Sequence, residues 1–286
     1  MSRTSARTQA VSTAKSGGEA PLARPLATRP LEGRHAIVTG AGRGIGAAIA
    51  DRLAALGAGI TLVGRTAAPL EAGRAALEAA HGVPTAIAIA DVTDEAAVEQ
   101  AFAAATQALG APAILINNAG AAQSAPFKRT DLALWRRMID VNLTSVYLCS
   151  HAVLPAMIEA GYGRIVSIAS TAGLTGYRYV TAYCASKHGV VGLTRALALE
   201  TAKTGITVNA VCPGYTETDL IDEALQNIVA KTGCTRDEAY AQLAAANPQG
   251  RLVRPEEVAS AVAWLVMPEQ AAMTGQAIAV AGGEVL

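Results

Sequence analysis

Thr39-Gly40-Ala41-Gly42-Arg43-Gly44-Ile45-Gly46 closes a short apolar run, His35 to Thr39, and opens a helical pattern, Gly44 to Leu56. Glycines in such a turn allow a tight bend, close approach of backbone N–H groups to a pyrophosphate, and tight contact of helix with strand. The N-terminus of the helix that follows favours negative charge. With a strand before it and a helix after it, a Gly-rich turn reads as a dinucleotide site, with Gly40, Arg43, Gly44, Ile45 and Gly46 as candidate contacts. The spacing Gly40-x-x-x-Gly44-x-Gly46 differs from the commonest dehydrogenase fingerprint, and without a following Gly-Lys-Ser/Thr it is no Walker loop.

From this turn onward short apolar runs alternate with longer helical patterns. The runs predict strands at His35 to Thr39, Gly59 to Val63, Thr85 to Ala90, Ala113 to Ile116, Gly163 to Ile168, Ile206 to Val211 and Gln276 to Val280. Helical patterns cover Gly44 to Leu56, Ala68 to His81, Asp94 to Leu109, Asp131 to Ala160, Tyr183 to about Lys203, Asp219 to Ala246 and Pro255 to Leu265. Continuous apolar runs read as strands buried on both faces, and regular alternation implies a parallel sheet covered by helices on both sides. No repeat or Pro- or Ser-rich linker interrupts the series after residue 34, so one α/β domain, 31–286, takes in all of it.

A chain of 286 residues can bury a sizeable core, and with 51% hydrophobic residues but two Phe and two Trp, small side chains suit close helix-on-sheet packing. Lys plus Arg equals Asp plus Glu at 23 each, so charge gives no pointer to nucleic acid or an anionic membrane. A soluble cytoplasmic protein handling small molecules is the expectation. The cysteines, Cys149, Cys184, Cys212 and Cys234, form no Cys-x-x-Cys pair, which fits a reducing compartment. No apolar run approaches the roughly 20 residues that span a bilayer. Residues 1–30, with Glu19 as their one acid and no hydrophobic periodicity, read as a disordered extension rather than a transit peptide. No metal is expected, because His35, His81, His151 and His188 show no ligand spacing. Cys184 and His188, beside Tyr183 and Lys187, read as packing and surface residues.

An Asp or Glu at the end of the second strand would bond the ribose 2′-hydroxyl of NAD and repel a 2′-phosphate. Here that strand ends Thr61-Leu62-Val63-Gly64-Arg65-Thr66, without an acid. Gly64 leaves room for a phosphate that Arg65 and Arg43 can hold in charge-assisted bonds, so NADP is favoured over NAD. The alternative leaves both arginines solvated or against the adenine.

Thr181-Ala182-Tyr183-Cys184-Ala185-Ser186-Lys187-His188 places a phenol and an ammonium four residues apart, on one helix face. A nearby cation favours the phenolate and lowers the value near 10 at which Tyr loses its proton, so Tyr183 can exchange protons with a substrate hydroxyl. Taken alone, the pair is also what an ordinary amphipathic helix presents. Ser170 ends the apolar run Ile165 to Ala169, where α/β sheets place functional groups; it serves equally as the cap of a turn. Asn142 should weaken the helical pattern it sits in.

The chain from about Leu31 resembles the short-chain dehydrogenase/reductase family. The motifs run in order: Thr39-Gly40-x-x-x-Gly44-x-Gly46, Asp91-Val92, Asn117-Asn118-Ala119-Gly120, Ser170, Tyr183-x-x-x-Lys187 and Pro213-Gly214. The resemblance implies a Rossmann-type doubly wound sheet and a catalytic set of Asn142, Ser170, Tyr183 and Lys187. Asn142 would mark a kink holding a water that links Lys187 to solvent, and Lys187 would also bind the nicotinamide ribose. It adds Asp91, Val92, Asn118, Ala119, Gly120, Pro213 and Gly214 to the cofactor contacts, although Asp91 reads equally as a helix cap, with Thr93 and Asp94 as rivals. Pairing of the helices carrying Asn142 and Tyr183 implies a homotetramer or homodimer.

Substrate specificity is expected in Ala121 to Phe127, Thr171 to Tyr179 and a helical lid, 215–248. The lid pattern Ile221, Leu225, Ile228 and Val229, with Tyr240 and Leu243, also fits helices that simply pack on the domain. Lys231 and Arg236 are candidates for the phosphates of a coenzyme A or carrier-protein thioester. The expected activity is hydride transfer between NADP(H) and a secondary alcohol or ketone, a 3-hydroxyacyl or 3-oxoacyl thioester first. The alternatives are an NAD-dependent dehydrogenase of an aromatic, alicyclic or short-chain hydroxy compound, and a catalytically silent dinucleotide-binding subunit.

Overall fold

Seven parallel strands, ordered β3-β2-β1-β4-β5-β6-β7, form one sheet in a computed structural model that describes residues 29–285. The reading of residues 1–30 lies outside these, apart from Arg29 and Pro30. The strands are β1 (His35–Thr39), β2 (Gly59–Gly64), β3 (Thr85–Ile89), β4 (Pro112–Asn117), β5 (Gly163–Ile168), β6 (Ile206–Pro213) and β7 (Ala277–Val280). The central strands β1, β5 and β6 are buried along their length and β4 at all but Ala113, as their unbroken apolar runs require.

Successive side chains point to opposite faces, so Ala36 and Val38 enter one core and Ile37 the other. The first core lies under α1 (Gly44–Ala55), α2 (Ala67–His81) and α9 (Pro255–Val266), with Ile49, Leu53, Leu70, Val258 and Val262 buried. The second lies under α3 (Glu95–Leu109), α5 (Ser145–Ala160) and α6 (Thr181–Glu200), through Val98, Phe102, Cys149, Val153 and Ala198. Strand order reverses between β1 and β4, and the crevice beyond their carboxyl ends is where open α/β sheets bind ligands.

Three elements differ from expectation. The helical pattern Asp131 to Ala160 is α4 (Leu132–Ile139), one π-helical turn at Asp140–Thr144, and α5. The run Asp219 to Ala246 breaks into α7 (Asp219–Thr232) and α8 (Arg236–Ala244). Gly233 ends α7 in the left-handed region at φ 74°, and a reciprocal Thr235/Glu238 capping box starts α8. Ile221, Leu225, Ala239 and Leu252 form their core, with Ile228, Val229, Tyr240 and Leu243 packed against it. Thirdly, the expectation that no stretch reaches membrane-spanning length fails for Leu132–Ala160, which is long and apolar enough by length and composition. The π turn carries helical hydrogen bonding past the charge of Asp140, joining two helices into one rod, but Val146, Cys149, Val153 and Met157 bury its stripe in the domain.

Candidate active site

Thr39, at the end of β1, joins the two loops of the crevice. Its hydroxyl donates to the Ile116 carbonyl at 3.3 Å and accepts from the N–H groups of Asn118 at 3.0 Å and Ala119 at 3.1 Å. The Asn118 amide nitrogen donates to the carbonyls of Thr39 at 2.9 Å and Gly40 at 3.1 Å. Asn118 thus uses its side chain to brace the glycine turn, not to reach a ligand. A Cβ on Gly46 would collide with the Gly40 carbonyl and lie 2.5 Å from that same amide, so only glycine fits there. No side chain caps α1 and its first turn holds no acid, so the first-turn N–H groups face the crevice unclaimed by side chains. An uncapped helix start behind a glycine cradle fits a dinucleotide pyrophosphate.

Arg65, exposed after Gly64, lies close enough to Asp91 to act on its carboxyl. Asp91 is not the cap of α3; Asp94 is, accepting from Ala97 N–H at 3.1 Å. Asp91 Oδ1 instead takes the N–H of Thr93 at 3.0 Å and its hydroxyl at 2.8 Å. These two bonds, with Arg65, hold its carboxyl below the usual carboxylate range. Val92 beside it is buried. Arg43 donates to Asp219 at 3.0 Å, joining the glycine turn to the start of α7, and Thr218 lies against Gly44. On α8, Arg236 is paired with Asp222 at 2.5 Å.

Asn142 is fully buried in the π turn. Its Nδ2 donates to the carbonyls of Ala121 at 2.8 Å and Met138 at 3.0 Å, while Oδ1 accepts from Ala121 N–H at 3.1 Å. The helix therefore gives up regular bonding at a residue whose side chain holds the loop after β4, and single π turns of this kind recur at functional sites. Gly120 separates Asn142 from Lys187: a Cβ there would stand 2.8 Å from Asn142 Oδ1 and 3.6 Å from Lys187 Nζ.

Ser170, Tyr183 and Lys187 converge at the carboxyl end of β5. Ser170 Oγ accepts from Ala172 N–H at 3.1 Å, so it does cap the turn Thr171–Gly173, yet its own proton remains to be donated. Lys187 is buried, its Nζ donating to the Ile168 carbonyl at 2.7 Å and lying 5.7 Å from the centre of the Tyr183 ring. Burial pushes the Lys187 ammonium down to about 8. Burial also pushes the Tyr183 phenol above its ordinary value, with the Ser170 hydroxyl opposing it. Desolvation thus sets the direction, opposite to the lowering that the four-residue spacing to Lys187 suggests.

The predicted specificity segments are tied together: Ala125 N–H donates to the Tyr179 carbonyl at 2.7 Å, linking the loops after β4 and β5. Tyr179, at φ 67°, is the one non-glycine with positive φ among the described residues. Pro213 pairs with Val280, and Gly214 follows with its N–H on the Val280 carbonyl at 3.1 Å. Sequence reasoning did not find three contributors: the Thr39 hub, the Thr218–Asp219 contact with the glycine turn, and Glu284, whose carboxylate accepts from the Tyr177 hydroxyl at 2.5 Å in the loop after Ser170. Only Thr39 has a local signal, as the hydroxyl residue opening the glycine motif. His188 donates to or accepts from nothing in the site; its ring lies on the Cys184 carbonyl one turn back.

Residues 34–228 match the model of the short chain dehydrogenase family. The chain belongs to that family. This short-chain dehydrogenase is an oxidoreductase of alcohol or keto groups, and its sheet and crevice have the Rossmann-type arrangement. It is 43% identical over 250 residues to granaticin polyketide synthase putative ketoacyl reductase 1 of Streptomyces violaceoruber, covering 87% of this chain and 92% of that one. It is 39% identical over 253 residues to the 3-oxoacyl-acyl-carrier-protein reductase of Vibrio harveyi, covering 88% of this chain and 98% of that one. The crystal structure of an actinorhodin polyketide ketoreductase with NADPH superposes with a TM-score of 0.84 at 40% identity, over 88% of this chain and 97% of that one.

Proposed function

We propose that this short-chain dehydrogenase reduces the 3-keto group of an acyl thioester with NADPH, using Tyr183 as the proton donor. The observation that carries the reading is the meeting of Ser170, Tyr183 and Lys187 at the carboxyl end of β5, beside the glycine crevice. The relatives named as ketoacyl and 3-oxoacyl reductases support the substrate class. The ketoreductase solved with NADPH, together with Arg43 and Arg65 and the lack of an acid at the end of β2, supports the cofactor.

When bound, the nicotinamide supplies the hydride to the carbonyl carbon. The phenol of Tyr183, kept protonated by burial, donates its proton to the carbonyl oxygen as that oxygen gains charge. The Ser170 hydroxyl donates to the same oxygen and fixes its position. Lys187, charged at neutral pH, stabilises the phenolate that the step leaves behind and is the residue to hold the nicotinamide ribose. Asn142 fixes the loop at Ala121 and, on the family pattern, a water that returns protons through Lys187.

We take α7 and α8 as the substrate lid and residues 31–286 as a single domain. The exposed apolar side chains Leu132, Trp135 and Tyr147 on α4 and α5 and Leu199 on α6 support pairing of these helices in a homotetramer. The free cysteines support a cytoplasmic location. Initial rates on acetoacetyl-CoA test the reading: faster turnover with NADPH than NADH is expected, and equal or better use of NADH overturns the cofactor assignment.

A further inference from the structure

Beyond β7 the chain does not leave the sheet. Gly282 at φ 61° and Gly283 at φ 96° turn it back, and Glu284 N–H closes the turn on the Ala281 carbonyl at 3.2 Å. A Cβ on Gly282 would run into the side chain of Asn247 at the base of the lid, so this turn is pinned from above. Its effect is to lay the Glu284 carboxylate across the end of β6. Oε2 stands 2.6 Å from where a Cβ on Gly214 would be, and Oε1 accepts from the Tyr177 hydroxyl at 2.5 Å. Tyr177 belongs to the loop that Ser170 starts, and Tyr215 follows Gly214 directly.

Glu284 is half-buried, yet no ion pair among the described residues includes it, and Tyr177 is the one side chain among them that donates to it. A half-buried carboxylate with one neutral donor and no cation still has acceptor positions to fill, and it repels another anion. Burial raises the Tyr177 and Tyr215 phenols and the Glu284 carboxylate adds to the rise in both, while Tyr215 adds to that of Tyr183.

Resting on the reductase reading above, we propose that Glu284, held by Tyr177, is a specificity-determining residue that accepts from a hydroxyl or amine on the substrate beyond the keto group and excludes substrates carrying a carboxylate there. The substrate class is accordingly a 3-oxoacyl thioester whose acyl chain carries a hydrogen-bond donor.

The test uses three 3-oxoacyl N-acetylcysteamine thioesters of equal chain length, ending in methyl, hydroxyl or carboxylate, with NADPH and the full chain. The ratio of kcat/KM for the hydroxyl-ended over the carboxylate-ended substrate is read within each protein, so the folded fraction cancels. The wild type should favour the hydroxyl-ended substrate by about tenfold or more, and Glu284→Gln and Glu284→Leu should each collapse most of that preference. A wild-type ratio near one, or a ratio that both variants leave unchanged while all rates fall together, overturns the proposal and marks Glu284 as a latch between β6 and the Tyr177 loop. If the methyl-ended thioester is reduced, that result spares the reductase reading; if the wild type binds NADPH and reduces none of the three, the reading and the proposal fall together.

Discussion

The Lys187 ammonium lies 5.7 Å from the centre of the Tyr183 ring while donating to the Ile168 carbonyl at 2.7 Å. A strand carbonyl, not the phenol, is its hydrogen-bond partner, so the phenol stays governed by its own burial and keeps its proton. This arrangement suits an acid in reduction.

Tyr183→Phe keeps the ring and its packing but removes the proton. The rate of ketone reduction should fall by about 100-fold to 10,000-fold with little change in thermal midpoint. A variant retaining most of the activity would remove Tyr183 from the mechanism.

The pH dependence follows from the buried pair. Lys187 loses its charge as pH rises through about 8, whereas Tyr183 is pushed upward and holds its proton past that point. The kcat/KM for reduction should therefore be level through neutral pH and decline on the alkaline side with an apparent pKa about 8, set by Lys187. In Lys187→Arg, whose guanidinium stays charged, whatever activity remains should lack that limb. A limb that persists in the variant belongs to another group.

Much of this was legible in the chain. Every strand was, because each is an apolar run ending at glycine, proline or a polar turn, and the β5 limits Gly163 and Ile168 agree at both ends. The glycine turn was legible because strand and helix flank it. What escaped are relations that only folding creates. Arg43 and Asp219 are 176 residues apart and Tyr177 and Glu284 are 107 apart, with no local pattern announcing either pair. Asn142 signals a weak point in a helix, but that it becomes a π turn depends on Ala121, 21 residues earlier, accepting and donating to its amide. The Tyr183 spacing showed the cation and concealed the desolvation that sets the direction of the phenol's shift.

Asn142→Ala would leave the Ala121 N–H and carbonyl without their buried partners. Stability should drop by about 1–3 kcal/mol, seen in the denaturation midpoint. The rate should fall more than the KM for substrate rises, because Asn142 is fully buried and acts on the loop at Ala121. An unchanged midpoint would mean that the π turn does not depend on these bonds.

Cofactor choice should turn on the end of β2. Gly64→Asp places an acid where a 2′-phosphate would lie, and kcat/KM with NADPH should fall by about tenfold or more while that with NADH holds or rises. Equal losses with both cofactors would show that the position does not meet the adenosine ribose.

This chain is expected to move hydride from NADPH to the ketone of an acyl thioester. NADPH deuterated at both positions of nicotinamide C4, turned over with acetoacetyl-CoA, should give 3-hydroxybutyryl-CoA carrying deuterium at C3, read by mass spectrometry. Product without deuterium, or NADPH bound with no product formed, would contradict it.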